Sequence, residues 1–293
     1  MKITIDANAK FWDIRDSIAE QIQQAQYLTN IELVDYSIDK VQHAYRDIIP
    51  YSEIVSMGEK YYYCKNYNTV GIEWIREPLP SKVLIFIPNR NTTELALRAI
   101  SSLKGFTYSV VIACSSNDDV HWPSSVSVAK VNPSISFTQL QNWFQKQAIY
   151  RELDYFYFMH SDAEATENSL IRLRSFYEKN PNWDIVQTNY DAFIGFKTTS
   201  LKTVGVWDET FKWYVSDIDF YNRCKWRNLN LLTCPEAEIL HNNPSSTLRS
   251  LSPDQVNAIQ RDHSWAIAHY SHKWGYNFQD GGTPYLTPYG VDS

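Results

Sequence analysis

The sequence predicts an α/β fold in which a mostly parallel central sheet is flanked by helices. Three short apolar runs, "KVLIFIP", "YSVVIAC" and "DYFYFM", are typical of strands that are buried on both faces. Segments with helical spacing of apolar residues separate these runs, and such alternation implies right-handed crossovers between parallel strands. With 293 residues, the chain is long enough for a sizeable hydrophobic core.

The first predicted element lies in residues 1–79, where the pattern is weakest. Trp12, Ile14, Ile18 and Ile22 recur at mostly helical spacing in "FWDIRDSIAEQIQQAQYL", which predicts an amphipathic helix. The segment "EKYYYCKNYNTVGIEWI" is more typical of strands, and the two prolines of "REPLPSK" indicate a boundary. We therefore expect an accessory α+β segment over residues 1–79 and the main domain, with a C-terminal helical tail, over residues 80–293.

Strands and helices alternate after this boundary. "NTTELALRAISSLKG" predicts a helix that Asn91 or Thr92 caps and Gly105 ends, and "SFTQLQNWFQKQAIYREL" predicts the next one. "ATENSLIRLRSFYEKNP" predicts a third helix, which Asn180 and Pro181 end. "DIVQTNYDAFIGFK" supplies further strand material.

The last part of the chain begins with a helix predicted in "VSDIDFYNRCKWRN", followed by short strands in "LNLLTCP" and "AEILHNN". In "SLSPDQVNAI", Ser252 as N-cap, Pro253 at the first helical position and Gln255 form the start of a capping box. We expect the helix that begins there to run to "HYSHKWG".

Composition and charge argue against several classes of protein. The formal net charge of −6 disfavours sequence-independent binding of nucleic acid, which needs a basic surface. The four cysteines include no CxxC pair, which disfavours a zinc cluster or redox motif and favours reduced thiols in a cytoplasm. The chain shows neither a signal-peptide core nor about 20 consecutive apolar residues, so we expect a soluble, cytoplasmic protein without a membrane span.

The stretch "FYFMHSDAE" at residues 156–164 runs from an apolar strand directly into polar residues. Ligands of open α/β sheets bind outside the carboxyl ends of the strands. His160 and Asp162 are two apart, so in extended backbone their side chains project to the same side and can ligate Mn²⁺ or Mg²⁺. The alternative is structural, with Ser161 and Asp162 capping the next helix.

Two further segments carry candidate residues. In "WYVSDIDFYNRC", Asp217 and Asp219 open a helix but do not share a face, so we expect them to do different jobs, one of them as a general base. The alternative is a capping-box-like start made by Ser216 and Asp219. In "AEILHNN", His241 ends a short strand, and it gains interest only if it converges with the other two segments.

The order of these pieces is more specific than any one of them. A strand ending in Pro-Asn-Arg precedes a strand that leads into HxD, then "VGVWDETFKWYVSDIDF", and then a strand that ends in His. Together with the tail "YSHKWG", this order resembles the family 2 glycosyltransferases of GT-A fold. The resemblance covers residues 81–275 or so and leaves residues 1–79 outside it.

The resemblance implies an inverting glycosyltransferase that moves a sugar from a nucleotide-sugar donor to an acceptor hydroxyl, with Mn²⁺ or Mg²⁺ as cofactor. It implies that His160, Asp162 and His241 hold the cation at the donor diphosphate, and that Asp217 is the base that deprotonates the acceptor. The implied donor and nucleotide site contains Pro88, Asn89, Arg90, Ser116 and Asp118. The implied acceptor side contains Trp207, Asp208, Trp213 and Asp219.

Two positions depart from the family's pattern. Many members carry an acidic residue just after the second strand, where it grips the nucleotide base. This chain has Ala113 and Cys114 there, with Asp118 and Asp119 further on, which leaves the identity of the donor nucleotide open. His160 stands at the first position of the DxD motif, so the metal site has one carboxylate fewer.

Three other functions remain open at this point. A nucleotidyltransferase of related architecture would release pyrophosphate, but the absence of glycine from "PNRNTTE" disfavours it. A carbohydrate-binding protein that keeps the fold without turnover is compatible with both departures. A phage-type transferase that glycosylates modified DNA would need an acceptor that the acidic charge balance disfavours.

Overall fold

The computed structural model describes residues 10–24, 30–32, 54–57, 60–64, 72–78, 83–103, 109–115, 120–189, 191–241, 249, 251–279, 285 and 287–288. The helices are α1 (Phe11–Gln24), α2 (Thr93–Ser102), α3 (Phe137–Tyr150), α4 (Ser169–Lys179), α5 (Thr198–Val204), α6 (Ser216–Trp226) and α7 (Pro253–Trp274). No helix within these ranges is both long and apolar enough to cross a bilayer.

The strands are β1 (Asn30–Glu32), β2 (Ile54–Met57), β3 (Lys60–Cys64), β4 (Ile72–Arg76), β5 (Val83–Asn89), β6 (Ser109–Cys114), β7 (Val126–Val131), β8 (Tyr155–Met159), β9 (Glu164–Ala165), β10 (Ile185–Gln187), β11 (Phe193–Lys197), β12 (Leu231–Thr233) and β13 (Ile239–Leu240). Eight of them form the central sheet, in the order β12-β10-β11-β8-β5-β6-β7-β4. Within it, β4 and β11 run opposite to the other strands. Two small sheets, β1-β3-β2 and β13-β9, are also present among the described residues.

The central strands are apolar throughout because both of their faces are covered. Along β5, Leu84 and Phe86 pack into the core layer that also holds residues of α3, α5 and α6. The alternate residues Ile85 and Ile87 pack into the opposite layer, with residues of α2 and α4. This arrangement requires the continuous apolar runs, since successive side chains of a strand point to opposite faces.

The predicted α/β class, with a mostly parallel central sheet flanked by helices, is confirmed. The capping box at Ser252 is also confirmed, because its hydroxyl accepts from the backbone of Gln255 and the Gln255 side chain accepts from that of Ser252. The helix that it starts ends at Gly275, whose positive φ of 74° favours glycine. The Gly105 stop expected for α2 lies outside the described residues.

Residues 1–79 contribute more to the main domain than an accessory segment was expected to. Strand β4, at residues 72–76, pairs with β7 and forms one edge of the central sheet. Helix α1 contacts the residue that follows α6, since Arg227 lies 2.8 Å from Asp16 and 5.2 Å from the ring centre of Trp12. The predicted boundary at "REPLPSK" therefore falls between two strands of one sheet.

Candidate active site

A cavity of about 610 Å³ lies at the carboxyl ends of β5, β6 and β8. Helices α3, α6 and α7 and strands β7 and β11 contribute further parts of its wall, together with loops that include Asp191, Trp213 and His241. The predicted site residues that line it are Pro88, Asn89, Arg90, His160, Asp162, Trp207, Trp213, Asp217 and His241. Two members of the predicted donor site, Ser116 and Asp118, lie outside the described residues.

His160, Asp162 and His241 meet at one end of this cavity, and short backbone pairings bring them there. The backbone N–H of His160, directly after β8, donates to Ala192 O at 2.8 Å, which fixes the end of the strand. His241 directly follows β13. Strand β13 pairs with β9, which begins at Glu164, just after Asp162. This two-residue pairing carries His241 across 79 positions of sequence to Asp162.

The spacing of these three side chains suits a single ion. Nε2 of His241 lies 3.0 Å from Oδ1 of Asp162, and Nδ1 of His160 lies 3.9 Å from the same oxygen. One possible ligand atom from each residue falls within 4.8 Å of the other two. Neighbouring ligands of an octahedral ion with bonds of about 2.1 Å are about 3 Å apart. Two imidazoles and one carboxylate at this spacing could therefore hold one divalent cation.

Burial keeps His160 in the form that binds metal. Desolvation lowers the pKa of its imidazole, and the nearby carboxylates of Asp162 and Asp191 offset only part of that effect. A lowered pKa favours the neutral ring, whose free nitrogen can donate its lone pair. The His160 and His241 rings lie edge to face, 5.3 Å apart.

Asp217 lies in the first turn of α6 and lines the same cavity as His160, Asp162 and His241. Desolvation raises the pKa of its carboxyl group, and the charge of Asp191 raises it further, against a hydrogen bond from the backbone of Ile218. A half-buried carboxylate with a raised pKa, open to a cavity, has the properties of a general base.

Asp191 is a cavity residue that no sequence pattern singled out. It stands in "TNYDAF", which periodicity alone assigns to continuous strand material, whereas the chain turns there between β10 and β11. Its carboxylate acts electrostatically on both His160 and Asp217. It therefore shares the cavity with His160 and Asp217 and couples electrostatically to both.

The turn after β5 combines one structural residue with one that is available to a ligand. Asn89 is buried, and its side-chain oxygen accepts from the backbone N–H of Thr92 at 3.2 Å and from the Thr92 hydroxyl at 3.0 Å. The Thr92 hydroxyl also meets the Ser161 hydroxyl at 3.0 Å, which ties this turn to the one after β8. Arg90 lies 4.7 Å from the ring centre of Trp213, so this guanidinium stacks on an aromatic face in the cavity wall.

Asp208 and Asp219, which we expected on the acceptor side, lie instead in what we call the buried ion cluster, formed by Asp208, Asp219, Arg223 and Lys273. Nζ of Lys273 is 2.8 Å from Asp208 and 2.9 Å from Asp219, and both carboxylates are completely buried. These charges are balanced within the cluster, and neither carboxylate lines the cavity. Asp208 and Asp219 therefore pair with cations inside the protein, away from the cavity lining.

Neither of the two helix caps considered from the sequence, Ser216 with Asp219 and Ser161 with Asp162, is found in the structure. Helix α6 has Val215 at its N-cap, in the left-handed region with a φ of 70°, and Asp219 pairs with Arg223 in place of capping. The helix after β8 is capped at Asn168, so Ser161 and Asp162 do not cap it. Asp162 is therefore left to interact with the two histidines.

No protein-family model matches the chain, and no curated protein sequence does. Solved structures similar to it include S. aureus TarS, at a TM-score of 0.46 and 15% identity, over 57% of this chain and 38% of TarS. TarS 1–349 in complex with UDP-GlcNAc gives a TM-score of 0.41 and 15% identity, over 64% of this chain and 66% of that one. The mannosyltransferase PcManGT from Pyrobaculum calidifontis, in complex with GDP-Man and Mn²⁺, gives 0.47 and 13%, over 72% and 69%.

Proposed function

We propose that the protein is an inverting, metal-assisted glycosyltransferase that moves a sugar from a nucleotide-sugar donor to an acceptor hydroxyl. One observation carries this proposal. One cavity at the carboxyl ends of adjacent parallel strands holds two kinds of residue. The first is a possible metal-binding group made of His160, Asp162 and His241, and the second is the separate carboxylate of Asp217. A diphosphate leaving group and an alcohol nucleophile need these two kinds of residue on either side of the reacting carbon.

Each residue has a defined part in the proposed reaction. Asp217 accepts the proton of the acceptor hydroxyl while the acceptor oxygen attacks the anomeric carbon. The bond between that carbon and the diphosphate oxygen breaks, its electrons leave with the nucleoside diphosphate, and the anomeric configuration inverts. A divalent cation held by His160, Asp162 and His241 would stabilise the negative charge on the departing diphosphate.

The environment of Asp217 supports its role as the base. Because burial raises its pKa, its carboxylate is a stronger base than an exposed aspartate. The cavity also excludes part of the solvent that would compete with the acceptor. Arg90 adds a positive charge near the end of β5, where a diphosphate would extend from the histidines.

The test is release of nucleoside diphosphate from UDP-glucose, UDP-GlcNAc and GDP-mannose in the presence of Mn²⁺, with water or added sugars as acceptors. We expect Asp217→Asn to lower turnover by roughly 10²- to 10⁴-fold, the usual contribution of general base catalysis. Binding of the nucleoside diphosphate should stay near that of the wild type. The exposed Asp154 provides the control variant Asp154→Asn, which should keep full turnover.

Three results would contradict the proposal in different ways. Equal turnover by Asp217→Asn and Asp154→Asn would remove Asp217 from the chemistry. Release of pyrophosphate from a nucleoside triphosphate would indicate a nucleotidyltransferase. Donor binding without any product above background in Mn²⁺ would indicate a carbohydrate-binding protein without turnover.

A further inference from the structure

Tyr214 and His263 are two aromatic residues of the cavity to which the proposed reaction gives no role. Both line the cavity, and both have accessible surface, since Tyr214 is 37% exposed and His263 is half-buried. Their ring centres are 4.6 Å apart and their planes are inclined at 47°. The two rings therefore form one continuous surface that a ligand in the cavity can reach, which we call the aromatic wall.

The aromatic wall comes from two separate segments of the chain. Tyr214 belongs to the loop before α6, and His263 belongs to α7. On α7, His263 follows the buried Ile259 by four residues and precedes the buried Ala266 by three, so it stands on the helix face that packs inward. An apolar residue is usual at such a position. An imidazole is accommodated there because this part of the face borders the cavity.

The aromatic wall lies close to the proposed base. Asp217 follows Tyr214 by three residues, so their Cα atoms are at most about 11 Å apart, and both residues line the cavity. Between them, Val215 has a φ of 70°, in the left-handed region that a β-branched residue rarely adopts. Backbone strain of this kind is concentrated at functional sites. An acceptor whose hydroxyl contacts Asp217 is therefore within reach of the aromatic wall.

The residues proposed for the donor adjoin the aromatic wall. Arg90, in the turn after β5, is proposed to contact the diphosphate, and its guanidinium lies 4.7 Å from the ring centre of Trp213. Trp213 is the residue before Tyr214, and all three of these residues line the cavity. A ligand on the aromatic wall would therefore lie beside a bound donor, which direct transfer between donor and acceptor requires.

The chemistry of the aromatic wall suits a sugar. Aromatic faces carry partial negative charge, which attracts the C–H groups on the face of a pyranose. The hydroxyls on the rim of the sugar need hydrogen-bond partners, and the Tyr214 hydroxyl and the His263 ring nitrogens make no hydrogen bond to another described residue. Because the two rings are inclined at 47°, a planar molecule can lie flat on only one of them. A puckered pyranose presents C–H groups in several directions and can contact both.

We propose that the acceptor is a carbohydrate, one pyranose ring of which lies against Tyr214 and His263 while its reacting hydroxyl contacts Asp217. This inference rests on the proposed function, since it names the class of acceptor for the same reaction. Water and simple alcohols also reach the base but gain nothing from the aromatic wall. Tyr214 and His263 are then specificity-determining residues, because they favour sugars over other hydroxyl compounds.

The chain provides a matched control at the end of α3. Tyr150 is 79% exposed and does not line the cavity. Tyr214→Ala and Tyr150→Ala therefore remove the same side chain from exposed positions, and only the first removes it from the cavity. Tyr214→Phe keeps the ring and loses only the hydroxyl. His263→Ala removes the other ring of the aromatic wall, from a different segment of the chain.

The first experiment titrates the full chain and these variants with the methyl glycosides of glucose, galactose, mannose and GlcNAc, followed by saturation-transfer NMR. Phenol and hexanol serve as probes for planar and alkyl acceptors. We expect the wild type to bind at least one glycoside, with the strongest saturation on the C–H protons of one sugar face. Tyr214→Ala should weaken that binding by roughly three- to tenfold, the effect of one aromatic contact. His263→Ala should also weaken it, Tyr214→Phe should lie between Tyr214→Ala and the wild type, and Tyr150→Ala should bind like the wild type.

The second experiment measures release of nucleoside diphosphate from the donor that the wild type uses, in Mn²⁺. The preferred glycoside should raise the rate above that in water. Tyr214→Ala should raise the KM for the glycoside by the same factor as its loss of binding, with little change in kcat, because Asp217 is unaltered. Tyr150→Ala should match the wild type in both constants.

Several outcomes would overturn the assignment of the aromatic wall. Equal glycoside binding by Tyr214→Ala and the wild type is one of them, and a wild type that binds no glycoside, or that prefers phenol or hexanol, is another. A loss in Tyr214→Ala confined to nucleoside diphosphate binding would place the aromatic wall on the donor side instead. If the wild type binds a glycoside through the aromatic wall but releases no nucleoside diphosphate from any donor, the proposed function fails while the sugar site stands.

Discussion

Lys273→Met tests how much the buried ion cluster stabilises the folded protein. Lys273 lies near the end of α7 and is 1% exposed, while its two partners come from α6 and from the loop that precedes it. Methionine keeps much of the length and apolar character of the lysine stem but removes its charge. We expect a large loss of stability with little change in volume.

The magnitude follows from the charges that remain. The cluster holds two carboxylates, Asp208 and Asp219, against two cations, Arg223 and Lys273. Without Lys273, one carboxylate is left buried and uncompensated, at sites that admit no solvent. Breaking a buried ion pair by removing one partner costs about 3–5 kcal/mol. At about 2–4 °C per kcal/mol, the melting temperature should fall by on the order of 10 °C.

Urea denaturation followed by tryptophan fluorescence measures this loss. Lys202→Met, at an exposed position of α5, is the control and should change the free energy of unfolding by less than about 0.5 kcal/mol. Adding Asp208→Asn to Lys273→Met restores the charge balance, so the double variant should recover much of the lost stability. Equal stability of Lys273→Met and Lys202→Met would refute this reasoning, and so would a double variant less stable than Lys273→Met.

The pH dependence of the difference in unfolding free energy between the wild type and Lys273→Met gives a second check. Burial alone would raise the pKa of Asp208, but Lys273 and hydrogen bonds from Lys273 and Thr210 hold it well below its usual value. A carboxyl group whose folded pKa is lowered stabilises the protein above its unfolded pKa of about 3.9 and loses that effect as the pH falls. The stability difference between the wild type and Lys273→Met should therefore narrow as the pH falls, because protonation of the buried carboxylate in the variant removes its uncompensated charge.

Two further predictions concern the cavity. His241→Ala should weaken Mn²⁺ binding by on the order of tenfold or more, measured by titration calorimetry, because it removes one of three possible ligands; unchanged affinity would place the ion elsewhere. Asp191→Asn removes a negative charge that raises the pKa of Asp217, so that pKa should fall. Because the base acts only when deprotonated, the acidic limb of the pH–rate profile should move to lower pH, and a limb that stays in place would separate Asp191 from the base.

The strands and helices that the sequence predicted best are those with strong local signals. The apolar runs of β5, β6 and β8 are buried on both faces, and the capping box of α7 depends on residues three positions apart. Strands β7 and β9 were not predicted. In β7, "VSVAKV", the sequence shows neither a continuous apolar run nor clean alternation, and β9 has two residues, which become a strand only through pairing with β13.

The candidate site was predictable where its residues stand together in sequence. His160 and Asp162 share one turn, whereas the contact between His241 and Asp162 depends on the β9–β13 pairing, which no local pattern specifies. Asp191 carried no signal, because a single acid in a loop is common. It stands out only when the cavity is known.

The segment "SDID" shows why two carboxylates so close in sequence take opposite roles. Asp217 and Asp219 are two positions apart on a helix, so about 200° separates their directions around the axis of α6. Asp217 lines the cavity, while Asp219 points into the buried ion cluster, where it accepts from Trp274 Nε1 at 2.9 Å and from Arg223 Nε at 3.1 Å. Buried ion pairs contribute little net stability when compared with apolar residues, but their geometry is specific. Because Lys273 and Trp274 both belong to α7, their bonds to Asp219 fix the rotation of α6 about its axis, and that rotation sets where the carboxylate of Asp217 stands in the cavity.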